Sequence, residues 1–130
     1  MQQRAKFTRI LERSKLSYMR RALDLSNKAL GISNPNPPVG AVIVKHGTVV
    51  GEGFTGAPGT FHAEKEALKV AGNYARGASL HVTLEPCSHS GRTSPCVDSI
   101  IEAGISEVHA SIIDPDSRVN GRGVEKLRAA

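Results

Sequence analysis

Residues 41–54 read AVIVKHGTVVGEGF. Two runs rich in β-branched residues flank His46-Gly47, which is the pattern of a β-hairpin. The segments outside it decide what kind of sheet the hairpin joins. Upstream, Leu16, Met19, Leu23 and Leu30 recur at helical spacing with Ala22 and Ala29, predicting an amphipathic helix over about 15–30 that Gly31 stops. NPNPPVG (34–40) fits neither helix nor central strand, because its prolines remove donors and fix φ. Downstream, GAPGT (56–60) is loop, and Ala63, Ala67, Leu68 and Ala71 form one helical face ended by Gly72. ASLHVTLE (78–85) alternates like a strand. Val97, Ile100 and Ile101 predict a helix that Gly104 ends, and ISEVHASII (105–113) predicts another strand. DPDSRVNGRG (114–123) is rich in turn residues, and VEKLRAA begins a last helix. A hairpin followed by strand–helix alternation implies an α/β fold, a mixed sheet with helices on both faces.

A chain of 130 residues fits one domain. Tryptophan is absent and aromatics are few, so the core must rest on Val, Ile, Leu and Ala. No apolar run approaches the roughly 20 residues that span a bilayer. The N-terminus has charge but no apolar core of a secretory signal, and two cysteines do not make a disulfide scaffold, so the cytoplasm is the expected compartment. The net charge of +5 is uneven. Residues 1–15 hold Arg4, Lys6, Arg9, Arg13 and Lys15 against Glu12, and the rest of the chain is nearly neutral. We therefore expect a basic N-terminal arm over 1–15, a solvated segment before a domain over 16–130.

Both cysteines follow prolines, in TLEPCSHSGRTSPC (83–96). His62, Cys87 and Cys96 are three good zinc ligands, and three protein ligands leave one position for water. Glu64 lies two residues after His62 at the same helix start, placed to move protons. The order H-x-E … P-C … C is similar to the signature of zinc deaminases. Such a site would make a zinc-bound water acidic near neutral pH, and Glu64 would shuttle its proton during loss of an exocyclic amine. Against this stands a closed structural site with His89 as fourth ligand, in a module without catalysis. A Cys87–Cys96 redox pair is disfavoured because the spacing is not C-x-x-C. His46 reads as a turn residue, and His81 and His109 as structural or exposed strand residues.

The blocks NPNPPVGAVIV, HAEKEAL, HVTLEPCSHSGRTSPC and DPDSRVNGRG resemble the deaminase domain of the riboflavin-biosynthesis deaminase/reductase family, within the cytidine-deaminase-like superfamily. Together they span about 34–123. The long spacer between the cysteines is the most specific part, since related deaminases of cytidine, cytosine and tRNA adenosine usually read P-C-x-x-C. The resemblance implies a three-layer α-β-α sandwich and a zinc cofactor held by His62, Cys87 and Cys96. It implies Glu64 as proton donor and acceptor, and as substrate 2,5-diamino-6-ribosylamino-4(3H)-pyrimidinone 5′-phosphate, deaminated at the ring 2-position. Asn36 would hydrogen-bond the ring or ribose. Arg92, with Ser90, Thr93 and Ser94, would hold the phosphate or else be a surface residue. The family also implies a homo-oligomer, and no membrane partner.

Three departures from the family pattern bear on the substrate. Gly53-Phe54-Thr55 stands where the family usually reads GYH, so a substrate-side histidine would be missing. Asp114-Pro115-Asp116 replaces DPN, placing a carboxylate near the expected pocket. Ala130 comes before the fifth strand and reductase domain that the resemblance implies. These departures keep open a related zinc deaminase acting on a cytosine or adenine base, a nucleoside, or single-stranded nucleic acid. Nucleic acid is the less favoured partner, because stacking would need more aromatics than Phe7, Phe54, Phe61, Tyr18 and Tyr74 supply.

Overall fold

The structure is a computed structural model that describes residues 2–60, 62–86, 96–111 and 122–130. A helix, α1 (Gln2–Ala29), leads into the hairpin β1 (Gly40–Lys45) and β2 (Thr48–Phe54). Then follow α2 (Ala63–Ala71), a 3-10 turn (Gly72–Ala75), β3 (Ser79–Val82), α3 (Cys96–Glu102), β4 (Glu107–Ala110) and α4 (Arg122–Ala129). The sheet order is β2-β1-β3-β4. β1 lies between β2 and β3 and runs antiparallel to both, and β4 runs parallel to β3. This is the mixed sheet that the hairpin predicts. No described helix is long and apolar enough to cross a membrane.

Strand alternation sorts the core into two layers. Ala41, Ile43, Leu80 and Val82 point to one face, where Ala63, Ala67 and Ala71 of α2 and Ile100 of α3 cover them, with Leu127 of α4 packed alongside. Val42 and Val44 point to the other face, under Ala22 and Leu25 of α1. Helices therefore lie on both sides of the sheet. The hairpin turns at His46 and Gly47, with φ of 51° and 75°. Two successive residues in the left-handed region match the right-handed twist of the strands.

Three elements differ in extent from the sequence expectation. The helix predicted over 15–30 begins at Gln2, because residues 2–15 contain neither glycine nor proline to stop it. The strands predicted over 78–85 and 105–113 are shorter, at Ser79–Val82 and Glu107–Ala110. Pro86 has no amide to donate to a ladder, and the chain leaves the sheet before reaching it. Residues 112–121, including most of DPDSRVNGRG with Asp116, lie outside the described residues.

Candidate active site

Strand register places the candidate segments at one end of the sheet. Gly40, the first residue of β1, pairs with Phe54, the last of β2. Ala41 pairs with Val82, the last residue of β3, and Val82 pairs with Ala110, the last of β4. The turn over 34–39, Thr55, the segment over 83–86 and Ser111 thus all follow or precede strand residues at the same end of the sheet. In α/β sheets this is where loops gather ligands.

Close packing fixes the start of α2. A side chain at Gly53 would overlap the carbonyl of Ala63 and come within 2.7 Å of Glu66 Cβ and 2.8 Å of Ala67 N. The helix backbone can lie directly on β2 because glycine and alanine meet there. His62 caps this helix in extended conformation, and its carbonyl accepts the first helical bond from Glu66 N at 3.1 Å. Glu64 and Glu66 occupy the first turn, where negative charge suits the helix dipole. Glu64 is only 4% exposed.

His62 Nδ1 lies 3.2 Å from Cys96 Sγ. Cys96 is the first residue of α3 and is fully buried. On one tetrahedral zinc, an imidazole nitrogen at about 2.0 Å and a thiolate at about 2.3 Å sit about 3.5 Å apart. The His62–Cys96 pair therefore fits two ligands of one ion. Cys87 and Arg92 lie outside the described residues, as does His89. Among the described residues no third histidine, cysteine or carboxylate completes a cluster. The structure thus brings together His62, Cys96 and the helix start that bears Glu64, thirty-four positions separating the first two.

Asn36 sits in a turn built by its neighbour Ser33. Asn36 N donates to Ser33 O at 2.7 Å, and Ser33 Oγ donates to Asn36 O at 2.9 Å. Ser33 is buried while Asn36 is exposed, so the turn's bonds use the Asn36 backbone and not its amide side chain. Thr55, which replaces the expected histidine, is 4% exposed, and its Oγ1 accepts from Val39 N at 3.0 Å. Sequence reasoning missed this, since a threonine after a strand reads only as β propensity. It also missed the burial of Glu85, 3% exposed, two residues before Cys87. His46 is the turn residue expected. His81 is 2% exposed and stacks on His109 with ring centroids 4.8 Å apart, while Tyr18 of α1 meets His81 at 5.2 Å.

Comparison with known proteins defines the class. The family model for the cytidine and deoxycytidylate deaminase zinc-binding region matches residues 12–112, and the chain belongs to this family. Within it, several relatives are named as riboflavin biosynthesis proteins. Riboflavin biosynthesis protein RibD of Aquifex aeolicus (strain VF5) is 53% identical over 114 residues, which are 88% of this chain and 32% of that protein. The diaminohydroxyphosphoribosylamino-pyrimidine deaminase of Buchnera aphidicola subsp. Schizaphis graminum (strain Sg) is 48% identical over 111 residues, 85% of this chain and 76% of the relative. A solved structure of Acinetobacter baumannii RibD superposes with a TM-score of 0.88 at 42% identity, covering 90% of this chain and 33% of that one. The chain spans about a third of the length of the RibD relatives it matches.

Proposed function

We propose that this chain is a zinc-dependent hydrolytic deaminase of 2,5-diamino-6-ribosylamino-4(3H)-pyrimidinone 5′-phosphate, acting in riboflavin biosynthesis. The observation that carries this reading is the meeting of His62 and Cys96 at 3.2 Å beside the α2 start that bears buried Glu64. The names of the RibD and Buchnera relatives support the choice of substrate.

His62, Cys96 and Cys87 would hold the zinc. When bound, zinc supplies a Lewis acid that makes water acidic near neutral pH. Glu64 accepts a proton from the attacking water and returns it to a ring nitrogen. The water oxygen bonds to ring carbon 2, Glu64 takes the remaining proton from that oxygen and delivers it to the exocyclic amine, and the carbon–nitrogen bond breaks to release ammonia and leave a carbonyl. A carboxylate suits this work because it accepts and donates within one turnover. Burial of Glu64 keeps bulk water from competing for the proton. Asn36 would orient the ring or ribose, and Arg92 the phosphate. The reading places a homo-oligomeric enzyme in the cytoplasm, on a small-molecule nucleotide.

Ammonia release from the diaminopyrimidinone ribotide by zinc-loaded protein tests the proposal, with Glu64→Ala alongside. Turnover should fall by a factor of about 10² or more in the variant, while bound zinc stays equal. Zinc-loaded wild type that releases no ammonia would overturn the substrate. Unchanged turnover in Glu64→Ala would overturn the role of the carboxylate.

A further inference from the structure

At the site end of the sheet, each junction between neighbouring strands carries a hydroxyl bond beyond the last backbone rung. Between β2 and β1, Thr55 N donates to Val39 O at 3.0 Å and Thr55 Oγ1 accepts from Val39 N at 3.0 Å. Between β1 and β3, Thr83 N donates to Gly40 O at 3.1 Å and Thr83 Oγ1 accepts from Gly40 N at 3.1 Å. In an ordinary antiparallel pair both acceptors are backbone carbonyls. Here a threonine hydroxyl replaces one of them twice. The replaced carbonyl is released from its rung, so the chain can turn away from the sheet without leaving a donor unmade. Between β3 and β4 the released carbonyl is used again. Ser111 N donates to Val82 O at 3.1 Å, and Ser111 Oγ donates to Thr83 O at 2.6 Å.

These three residues stand where the site-bearing segments depart. Thr55 opens the loop to His62, Thr83 lies four residues before Cys87, and their partners Val39 and Gly40 end the turn of Asn36. Thr55 and Thr83 are 4% and 6% exposed, so their bonds are shielded from water. We infer that Thr55, Thr83 and Ser111 are positioning residues, a row of hydroxyls that holds the four departing segments in one register. This rests on the deaminase reading above for its activity readout alone. It also gives Thr55 a task of its own in place of the absent histidine.

The far end of the sheet provides a matched control. There Ser79 Oγ donates to Val44 O at 3.3 Å, and Ser106 Oγ to Ala78 O at 3.1 Å, also joining neighbouring strands. The experiment compares Thr55→Val, Thr83→Val and Ser111→Ala with Ser79→Ala and Ser106→Ala in the zinc-loaded full chain. Steady-state deamination of the ribotide and the rate of zinc release to a chelator are both measured. Site-end variants should lose about 10- to 100-fold in kcat/KM, and Thr83→Val should release zinc about tenfold faster. Far-end variants should stay within about twofold of wild type, because their segments do not reach the site. Thr55→Ser and Thr83→Ser, which keep the hydroxyl, should restore the wild-type values. Equal losses at the two ends, or valine and serine variants that behave alike, would overturn the inference. A wild type without turnover would sink the functional reading instead, and zinc release would then decide, with equal rates from both ends rejecting the row. Should Thr83→Val fail to fold, Thr55→Val and exposed Ser111→Ala decide by the same comparison.

Discussion

The Cys96 thiol occupies a fully buried position that also begins α3. His62 Nδ1, at the start of α2, lies 3.2 Å from its Sγ. A buried cysteine by itself packs as a small hydrophobe, and that would make Cys96→Ser a mild change. A zinc ligand behaves differently, because a serine oxygen is a far poorer ligand than a thiolate. Cys96→Ser should therefore lower zinc affinity by a factor of about 10² or more while the helix content is kept. Equilibrium dialysis against zinc with circular dichroism in parallel checks this. Retained affinity would show that Cys96 is packing alone. At this scale the sequence was informative about identity and silent about geometry. The types and order of His62, Glu64, Cys87 and Cys96 pointed to one chemistry. The hydroxyl bonds of Thr55 and Thr83 were illegible, since their partners Val39 and Gly40 lie 16 and 43 positions away.

Among the described residues, helix α1 is held to the sheet by packing, by a hydrogen bond from Tyr18 Oη to Gly47 O at 3.2 Å and by an ion pair. Arg21 Nε and Nη2 donate to the two carboxylate oxygens of Glu52 on β2, at 2.5 and 3.0 Å. The hydrogen bond from Arg21, with its charge, holds the Glu52 carboxyl below the ordinary range despite partial burial. The same bond raises the Arg21 guanidinium above its ordinary value. A carboxylate with a depressed folded pKa stabilises the fold above its unfolded pKa, and that stability is lost as pH falls through the folded value. The contribution is therefore complete near neutrality and fades in the acid range below the usual carboxylate pKa. Arg21→Met should flatten that part of the acid-unfolding profile, with a small effect at pH 7 since the pair is exposed. Urea midpoints measured from pH 7 down to pH 3 test it, and parallel wild-type and variant profiles would refute it. Among elements, the hairpin and α2 were legible because β-branching and alanine spacing are local signals. The first half of α1 was not, because its charged sequence reads as solvated whether or not its backbone is helical.

Among the described residues of the molecule, a mixed four-stranded sheet carries one long helix on one face and three shorter ones on the other. The hairpin made this layering predictable, since it forces antiparallel neighbours before the parallel β3–β4 step. The convergence of the site segments was predictable only as a rule about sheet ends, and the register gives it its particular partners. The contact between β2 and α2 has a further consequence for how this protein can vary. Gly51 and Gly53 face Ala63, Ala67 and Ala71 so closely that an added methyl group at either glycine meets helix backbone. Such a seam has no spare volume and no flexible side chain to yield, so it tolerates neither growth nor exchange. In a saturation library selected for folding, Gly51 and Gly53 should reject nearly every substitution, while Val70 and Tyr74 on the exposed side of the same region accept many. Free variation at the two glycines would disprove the seam's rigidity. Drift in this lineage is then channelled away from the seam and into the segments that leave the sheet, so new substrate preferences can arise there while the bed beneath His62 and Glu64 stays unchanged.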